Sequence, residues 1–148
     1  MATTNAMSDY LVSVLLNLTL RDTAWSLPDA SGRVWIALFS SVTGLDSNNP
    51  TGEFTAGDYA RLEVDGTTYQ FTASTGGSAC ANNVDWSFSQ AASNWGNCTH
   101  IAVVDHPTNT TWGTNVNVLY WGALNTFKPI STNDTFTIGA GDLTIQIL

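Results

Sequence analysis

The sequence predicts a mainly β protein of one domain, with a β-sandwich or jelly-roll-like fold and one N-terminal helix. Short apolar or alternating segments recur about every 8–15 residues, each bounded by Gly, Pro, Asn or Asp. Only one long segment, near the start of the chain, has apolar residues at helical spacing. The length of 148 residues is typical of a single domain.

The helix is predicted over residues 8–20. Ser8 is a residue type that caps helices, and apolar residues follow at helical spacing: Tyr10, Leu11, Val14, Leu15 and Leu18. Leu16 and Leu20 widen this stripe. The apolar face is expected to pack against another surface, either a sheet of the same domain or a neighbouring subunit.

Residues 1–9 are predicted to form an N-terminal arm, and residues 10–148 to form the β-sandwich domain together with the helix. The first seven residues are small or polar apart from the methionines. Such a segment stays free unless a partner orders it.

Two segments, 34–39 and 99–104, are predicted to be strong strands that are apolar on both faces, and 99–104 is predicted to be a central strand. Both carry apolar residues at successive positions, so both of their faces need to be covered. Further strands are predicted at 58–64, 67–71, 84–88, 116–124, 135–138 and 143–147. Asp65-Gly66 is typical of a hairpin turn, and Gly139–Asp142 predicts a terminal hairpin.

A long polar loop, residues 40–54, separates the first predicted strand from the next. Loops of this length in a small domain are often functional, so we expect a contact surface here. Trp112 lies in a second polar loop, and its indole is a candidate for exposure. The residues predicted to contact partners, in these two loops and in the arm, are Thr3, Thr4, Asn5, Asp46, Asn48, Asn49 and Trp112.

The composition argues against several classes of partner. The net charge is −8, from four Lys and Arg against 12 Asp and Glu, so the chain is not expected to bind nucleic-acid phosphates. No signal peptide or membrane span is recognised, and no membrane partner is expected. Cys80 and Cys98 would form a disulfide only in an oxidising compartment; otherwise both are small core or surface residues, and the sequence leaves the two alternatives open.

Residues able to support catalysis are sparse. The one close cluster of acid–base or metal-binding residues is His100, Asp105 and His106. In the predicted strand His100 and Asp105 fall on opposite faces, which disfavours a shared site. We therefore predict no enzyme, no cofactor and no metal; a hydrolase that uses one of the histidines is the alternative.

Seven segments recur in a fixed order along the chain. They are Tyr10–Ala24, Val34–Phe39, Gly57–Arg61, Asn94–Asp105, Leu119–Leu124, Asn133–Phe136 and Gly139–Thr144. In their order and spacing, over roughly residues 10–147, they resemble a family of small tailed-bacteriophage virion proteins, known as tail-fibre or head-decoration proteins. The resemblance implies a β-sandwich structural protein of the virion with no catalytic residues. The six Trp residues and the two cysteines depart from the family pattern.

Within that family, the short chain favours a position on the head. It lacks the repeats or heptads that form a fibre shaft. We expect a capsid decoration or cement protein on the exterior of the virion, assembled in the host cytoplasm. Its partners would be the major capsid protein and neighbouring copies, in a homodimer or homotrimer. The alternative is a tail-fibre, tail-tip or neck protein that touches a host glycan.

Overall fold

A computed structural model of the protein describes residues 3–4, 6–26, 33–64, 70–72, 79–108 and 111–146. It contains one helix and ten strands in these residues. In chain order they are β1 (Thr3–Thr4), β2 (Ala6–Met7), α1 (Asp9–Leu20), β3 (Val34–Phe39), β4 (Leu62–Val64), β5 (Ala79–Ala81), β6 (Trp86–Ser87), β7 (Gly96–Val104), β8 (Val118–Ile130), β9 (Thr137–Ile138) and β10 (Thr144–Gln146).

The described strands form three sheets. The largest has the order β2-β8-β7-β3-β4, the second has the order β1-β10-β5, and the third pairs β6 with β9. Every pairing is antiparallel except that of β1 with β10. The prediction of a mainly β fold with an N-terminal helix is confirmed, whereas the finer prediction of a sandwich stays a prediction.

Strand β7 lies at the centre of the largest sheet, and its side chains are buried on both faces from Ile101 to Val104. Ile101 and Val103 join one apolar cluster, and Ala102 and Val104 join another. The prediction that this strand is covered on both sides is confirmed.

The two clusters are covered by different kinds of structure. The larger one draws its members from the main sheet, from the two smaller sheets and from the segments beside them, and these members include Ile36, Leu38, Trp86, Phe88, Phe136, Ile138, Leu143 and Ile145. The smaller one is covered mainly by loop residues, and it contains Trp35, Ala37, Phe39, Leu45, Val118, Trp112 and Trp121. The loops are therefore part of the core on this second face.

Helix α1 begins and ends as the sequence predicts. The Ser8 hydroxyl accepts from the backbone N–H of Leu11 at 3.2 Å, which satisfies one free donor of the first turn. At the other end, the N–H groups of Arg21 and Thr23 both donate to the carbonyl of Asn17. Asp22 has φ of 52° and turns the chain away from the helix axis.

The prediction of a free N-terminal arm differs from the structure. Thr3–Thr4 pair in parallel with Thr144–Ile145, and Ala6–Met7 pair with Tyr120–Trp121. The backbone groups on the edges of β8 and β10 would otherwise lack partners in the sheet. The described part of this segment therefore joins two sheets of the domain.

The predicted terminal hairpin is wrong. Strands β9 and β10 do not pair with each other, because β9 pairs with β6 and β10 pairs with β5 and β1. The inward-facing residues were predicted correctly, since Phe136, Ile138, Leu143 and Ile145 are buried. Ile147 and the predicted turn at Asp65-Gly66 lie outside the described residues.

The strand predicted at 58–64 is shorter than expected, and the one at 116–124 is longer. Only Leu62–Val64 are in a strand. Residues 57–58 form a turn in which the N–H of Tyr59 donates to the carbonyl of Ala56 at 2.9 Å, so this backbone is not paired in a sheet. Strand β8 continues to Ile130 through an irregularity. Cys98 pairs with Lys128 and His100 pairs with Ala123, so Leu124–Phe127 face only Thr99 and bulge outward.

A variant that begins at Met7 tests the N-terminal pairing. It loses β1 and Ala6 but retains the helix cap, so we expect the free energy of unfolding to fall by roughly 1–3 kcal/mol, since each lost ladder hydrogen bond contributes about 1 kcal/mol. Urea unfolding followed by tryptophan fluorescence measures this change. An unchanged unfolding midpoint would show that the segment is a free arm.

Candidate contact surfaces

The structure brings some of the predicted contact residues together and separates others. Asp46, Asn48 and Asn49 lie on a closed loop of residues 40–52, and Trp112 lies on a loop of residues 111–117 beside it. The two loops are close at Gly113, where an added Cβ would lie 3.5 Å from the carbonyl oxygen of Asn48. Thr3 and Thr4 belong to a different sheet, and Asn5 lies outside the described residues.

The loop 40–52 is held shut at its base by hydrogen bonds between its two ends. The N–H and hydroxyl of Ser40 both donate to the carbonyl of Gly52, at 2.8 and 3.0 Å. The Ser41 hydroxyl donates to the carbonyl of Thr51 at 3.1 Å. Leu45 is fully buried in the smaller apolar cluster. The loop is therefore an integral cover of the sheet.

The tip of the loop requires a glycine. Gly44 has φ of 78°, and a Cβ there would lie 2.0 Å from the carbonyl oxygen of Asn49. The N–H of Asn49 donates to the carbonyl of Gly44 at 2.9 Å. The same loop holds the start of the helix, because the N–H of Asp9 donates to the carbonyl of Asp46 at 2.8 Å.

Asn48, which was predicted as a contact residue, lies in the interior of the described structure. Its side chain is buried; the amide nitrogen donates to Asn117 Oδ1 at 2.8 Å, and the amide oxygen accepts from the N–H of Val118 at 2.7 Å. Asn117 in turn donates to both carboxylate oxygens of the buried Asp105, at 2.7 and 2.8 Å. This chain of bonds fastens the loop to the main sheet. Asp46 and Asn49 are exposed.

Trp112 is only partly exposed, because its ring packs into the protein. The ring lies 6.2 Å from that of Phe39, and the guanidinium carbon of Arg61 lies 4.8 Å from the Trp112 ring centre. Arg61 is itself buried and makes two hydrogen bonds to the carboxylate of Glu53, at 2.7 and 2.8 Å. One face of the indole is thus occupied by a cation of the same chain.

A pocket of about 280 Å³ opens beside this ion pair, lined by Glu53, Tyr59, Arg61, Pro107 and Thr108 among others. Its strongest polar groups already have partners. Arg61 also donates to the carbonyl of His106 at 2.8 Å, and the Tyr59 hydroxyl accepts from the N–H of Leu38 at 2.9 Å. Burial raises the pKa of Tyr59 above its usual range. The pocket therefore offers few free polar groups to a ligand.

The histidines and Asp105 do not form a common site. Asp105 is buried and bound to Asn117, while His100 lies against Trp121 and has its Nδ1 2.9 Å from the Thr99 hydroxyl. His106 Nδ1 contacts Thr108. Burial lowers the pKa of His100. Among the described residues, no group of three or more His, Cys, Asp or Glu side chains is placed to hold a metal.

Both cysteines are thiols in the structure. Cys98 is buried in the larger cluster, and burial raises its pKa to about 12. The thiol is therefore protonated at neutral pH and behaves as a small apolar side chain.

The most unusual surface of the described residues is apolar and exposed. Large apolar side chains are exposed on α1, at Val12, Leu16, Leu18 and Leu20, and Phe127 on the bulge of β8 is 58% exposed. The broad apolar surface of the helix was visible in the sequence, because Leu16 and Leu20 widen its apolar stripe. The bulge at Phe127 depends on strand register, which the sequence does not reveal.

The comparison with protein families identifies the group to which the chain belongs. Residues 6–146 match the model of the family described as "Podophage GP4 fiber I protein gp80". The chain belongs to this family. It is therefore a structural protein of a bacteriophage virion, as the sequence resemblance indicated. No curated protein matches the chain.

The buried Asp105–Asn117 contact can be tested with Asp105→Asn. Asn117 now donates one N–H to each oxygen of the Asp105 carboxylate. An amide at position 105 has only one oxygen, so one of these donors loses its acceptor. We therefore expect a loss of roughly 1–3 kcal/mol in the free energy of unfolding. Thermal and urea unfolding measure it. The matched control is Asp142→Asn, an exposed position, which should leave stability nearly unchanged. Equal stability of both variants would contradict the role assigned to the network.

The hydrogen bonds of Asp58 make the free energy of unfolding depend on pH in the acidic range. Its carboxylate accepts from the Ser93 hydroxyl, the Trp95 indole N–H and the Ala92 N–H, at 2.6, 2.9 and 2.6 Å. Hydrogen bonds, above all that from Ser93, lower its pKa to about 2. Because the folded-state pKa lies below the unfolded value, the contribution of Asp58 is complete above about pH 4. It is lost as the pH falls through about 2.

Asp58→Asn should therefore flatten the fall in unfolding free energy between about pH 4 and pH 2, relative to the original chain. Urea unfolding at several pH values measures the slope. The same slope in both proteins would show that Asp58 is not the titrating group.

Proposed function

We propose that this chain is a structural component of a podophage fibre. The observation that carries the proposal is the family match over residues 6–146, nearly the whole chain. The family description names a fibre protein, and it fits the tail-fibre alternative better than the capsid cement protein favoured from the sequence. The earlier preference rested on the lack of repeats or heptads. That feature excludes a shaft made by this chain alone but not a fibre built from compact units.

The size of the domain supports a role as one unit among several. A chain of this length folds to a radius of gyration of about 15 Å, and α1 with 12 residues is about 18 Å long. A fibre extends well beyond these dimensions. The chain therefore contributes to a fibre by contacts with further copies or with other virion proteins.

The surface is also suited to protein contacts. Exposed large apolar residues occur on the helix, on the loop 40–52 at Val42 and on the bulge of β8 at Phe127. Surfaces of this kind are characteristic of interaction sites when the residues are contiguous. The low content of charged residues, 11%, reduces the cost of removing such a surface from water.

A host glycan as ligand stays a prediction. It rested on an exposed ring at Trp112, but Arg61 and Phe39 pack against that ring. The major capsid protein as partner likewise stays a prediction.

The position in the virion can be measured directly. We expect gold-labelled antibodies against a peptide tag on this chain to bind to fibres in electron micrographs of the phage. Quantitative mass spectrometry should give a ratio to the major capsid protein far below one-to-one. Label spread over the head, with a ratio near one-to-one, would overturn the fibre assignment in favour of a capsid cement protein.

A further inference from the structure

Strand β8 has an outer edge that the domain leaves largely open. On its inner side, β8 pairs with β7 from Val118 to Ile130, with two irregularities. On its outer side, the described residues pair with it only at Tyr120 and Trp121, through the two residues of β2. The strand continues past Trp121 to Ile130, so the outward-facing backbone groups of that part have no partner strand among the described residues.

This edge is open because the N-terminal segment turns away from it. Since β2 runs antiparallel to β8, the residues that precede Ala6 would pass along β8 toward Ile130 if the pairing continued. The preceding residues instead form β1, which pairs with β10 in the second sheet. The part of the outer edge from Gly122 to Phe127 is called here the open edge. A strand that paired with it would lie in line with β2.

The backbone of β8 determines what the open edge offers to another chain. The carbonyl of Leu119 faces outward and accepts from the N–H of Ser8 at 3.1 Å. Because the outward direction alternates along an antiparallel strand, the backbone groups of Trp121 and Ala123 also face outward. At the far end, Pro129 has no N–H and cannot donate to a ladder. The open edge is therefore able to pair with a short strand that ends before Pro129.

A cleft of about 210 Å³ lies against the open edge. Its described lining residues come from β8 and from the segment around β9, and none of them belongs to β7, so the cleft is on the outer side of β8. They are Leu124, Asn125, Thr126, Lys128, Phe136 and Thr137. Because successive side chains of a strand point to opposite faces of its sheet, one side chain of an added strand would enter this cleft.

Lys128 sets the chemistry of the cleft. Its ammonium nitrogen lies 5.3 Å from the centre of the Phe136 ring, whose negative face attracts the cation. The two ion pairs of the described residues use Arg33 and Arg61, so Lys128 has no carboxylate partner there. An ammonium group has three N–H donors and no acceptor. The matching group is therefore a carboxylate, which the other lining residues of the cleft do not supply.

We propose that an extended segment of another virion protein adds to the open edge as a further strand and places an Asp or Glu side chain against Lys128. In this mode of recognition the backbone hydrogen bonds give affinity, and the pockets for side chains give specificity. A second copy of the same edge does not supply the acidic residue, because residues 118–130 contain no Asp or Glu. The proposal rests on the virion role of the family, but it does not depend on the place of the chain in a fibre.

Photo-crosslinking in assembled virions tests the proposal. Phe127→benzoylphenylalanine places a photoreactive ring of related shape at a site that is 58% exposed, and mass spectrometry of the products identifies the residues that it joins. We expect crosslinks to a segment of a different virion protein that contains Asp or Glu. Adding Lys128→Glu should lower the crosslinked yield roughly fivefold or more, because it opposes two like charges. The matched control is Lys128→Arg, which keeps the charge and should retain the yield.

A synthetic peptide of the crosslinked segment then separates backbone pairing from charge. Titrated against the purified full chain by fluorescence anisotropy, it should lose affinity when its acidic residue is replaced by Lys, and it should regain affinity with the Lys128→Glu chain. Methylation of the alternate backbone nitrogens that face β8 should abolish binding, whereas methylation of the intervening nitrogens should not.

Four outcomes would overturn the proposal: crosslinks only to copies of this chain, crosslinks only to segments without Asp or Glu, no crosslink at all, or peptide binding that neither the charge nor the methylation affects. The position of the gold label on fibres is independent of all four, so this proposal and the fibre assignment fail separately.

Discussion

The burial of β7 on both of its faces is the constraint on which the rest of the structure depends. A strand with Ile101, Ala102, Val103 and Val104 in sequence offers apolar surface above and below the sheet. Each of the three larger side chains, Ile101, Val103 and Val104, contributes about 1.5–3 kcal/mol when it leaves water. The smaller sheets supply one cover, but the chain has no further sheet among its described residues for the other. Two loops take that place.

A cover made of loops has to bring polar backbone into the protein, and such groups need partners. The contacts among Asn48, Asn117 and Asp105 meet that need on one side of the loop 40–52, and Leu45 supplies the apolar anchor. The ion pair of Arg61 with Glu53 meets a similar need next to Trp112. These polar residues would be expected on the surface from the sequence, but they are buried in the structure.

This explains which parts of the molecule could be predicted from the sequence. The central strands and the helix were predictable, because their patterns depend on neighbouring residues in the chain. The state of Asn48 and Trp112 was not, since it depends on partners such as Asn117 and Arg61 that are distant in sequence. The terminal hairpin failed for the same reason. The patterns at 135–138 and 143–147 were right, but pairing with β6, β5 and β1 prevailed over pairing with each other. The apolar stripe of α1 was visible in the pattern, but the pattern left open whether a sheet of the domain or a neighbouring subunit covers it.

The parallel pairing of β1 with β10 joins strands from opposite ends of the described chain, Thr3 with Thr144. A contact between residues so far apart forms late, because closing a long loop costs much conformational entropy before the contact is made. During synthesis the first strand emerges from the ribosome with no partner and waits for the last. The edge of β8 that Ala6 and Met7 occupy is made only after most of the chain is available. The newly made protein therefore passes through a stage in which these sheet edges are open and prone to pair with other chains.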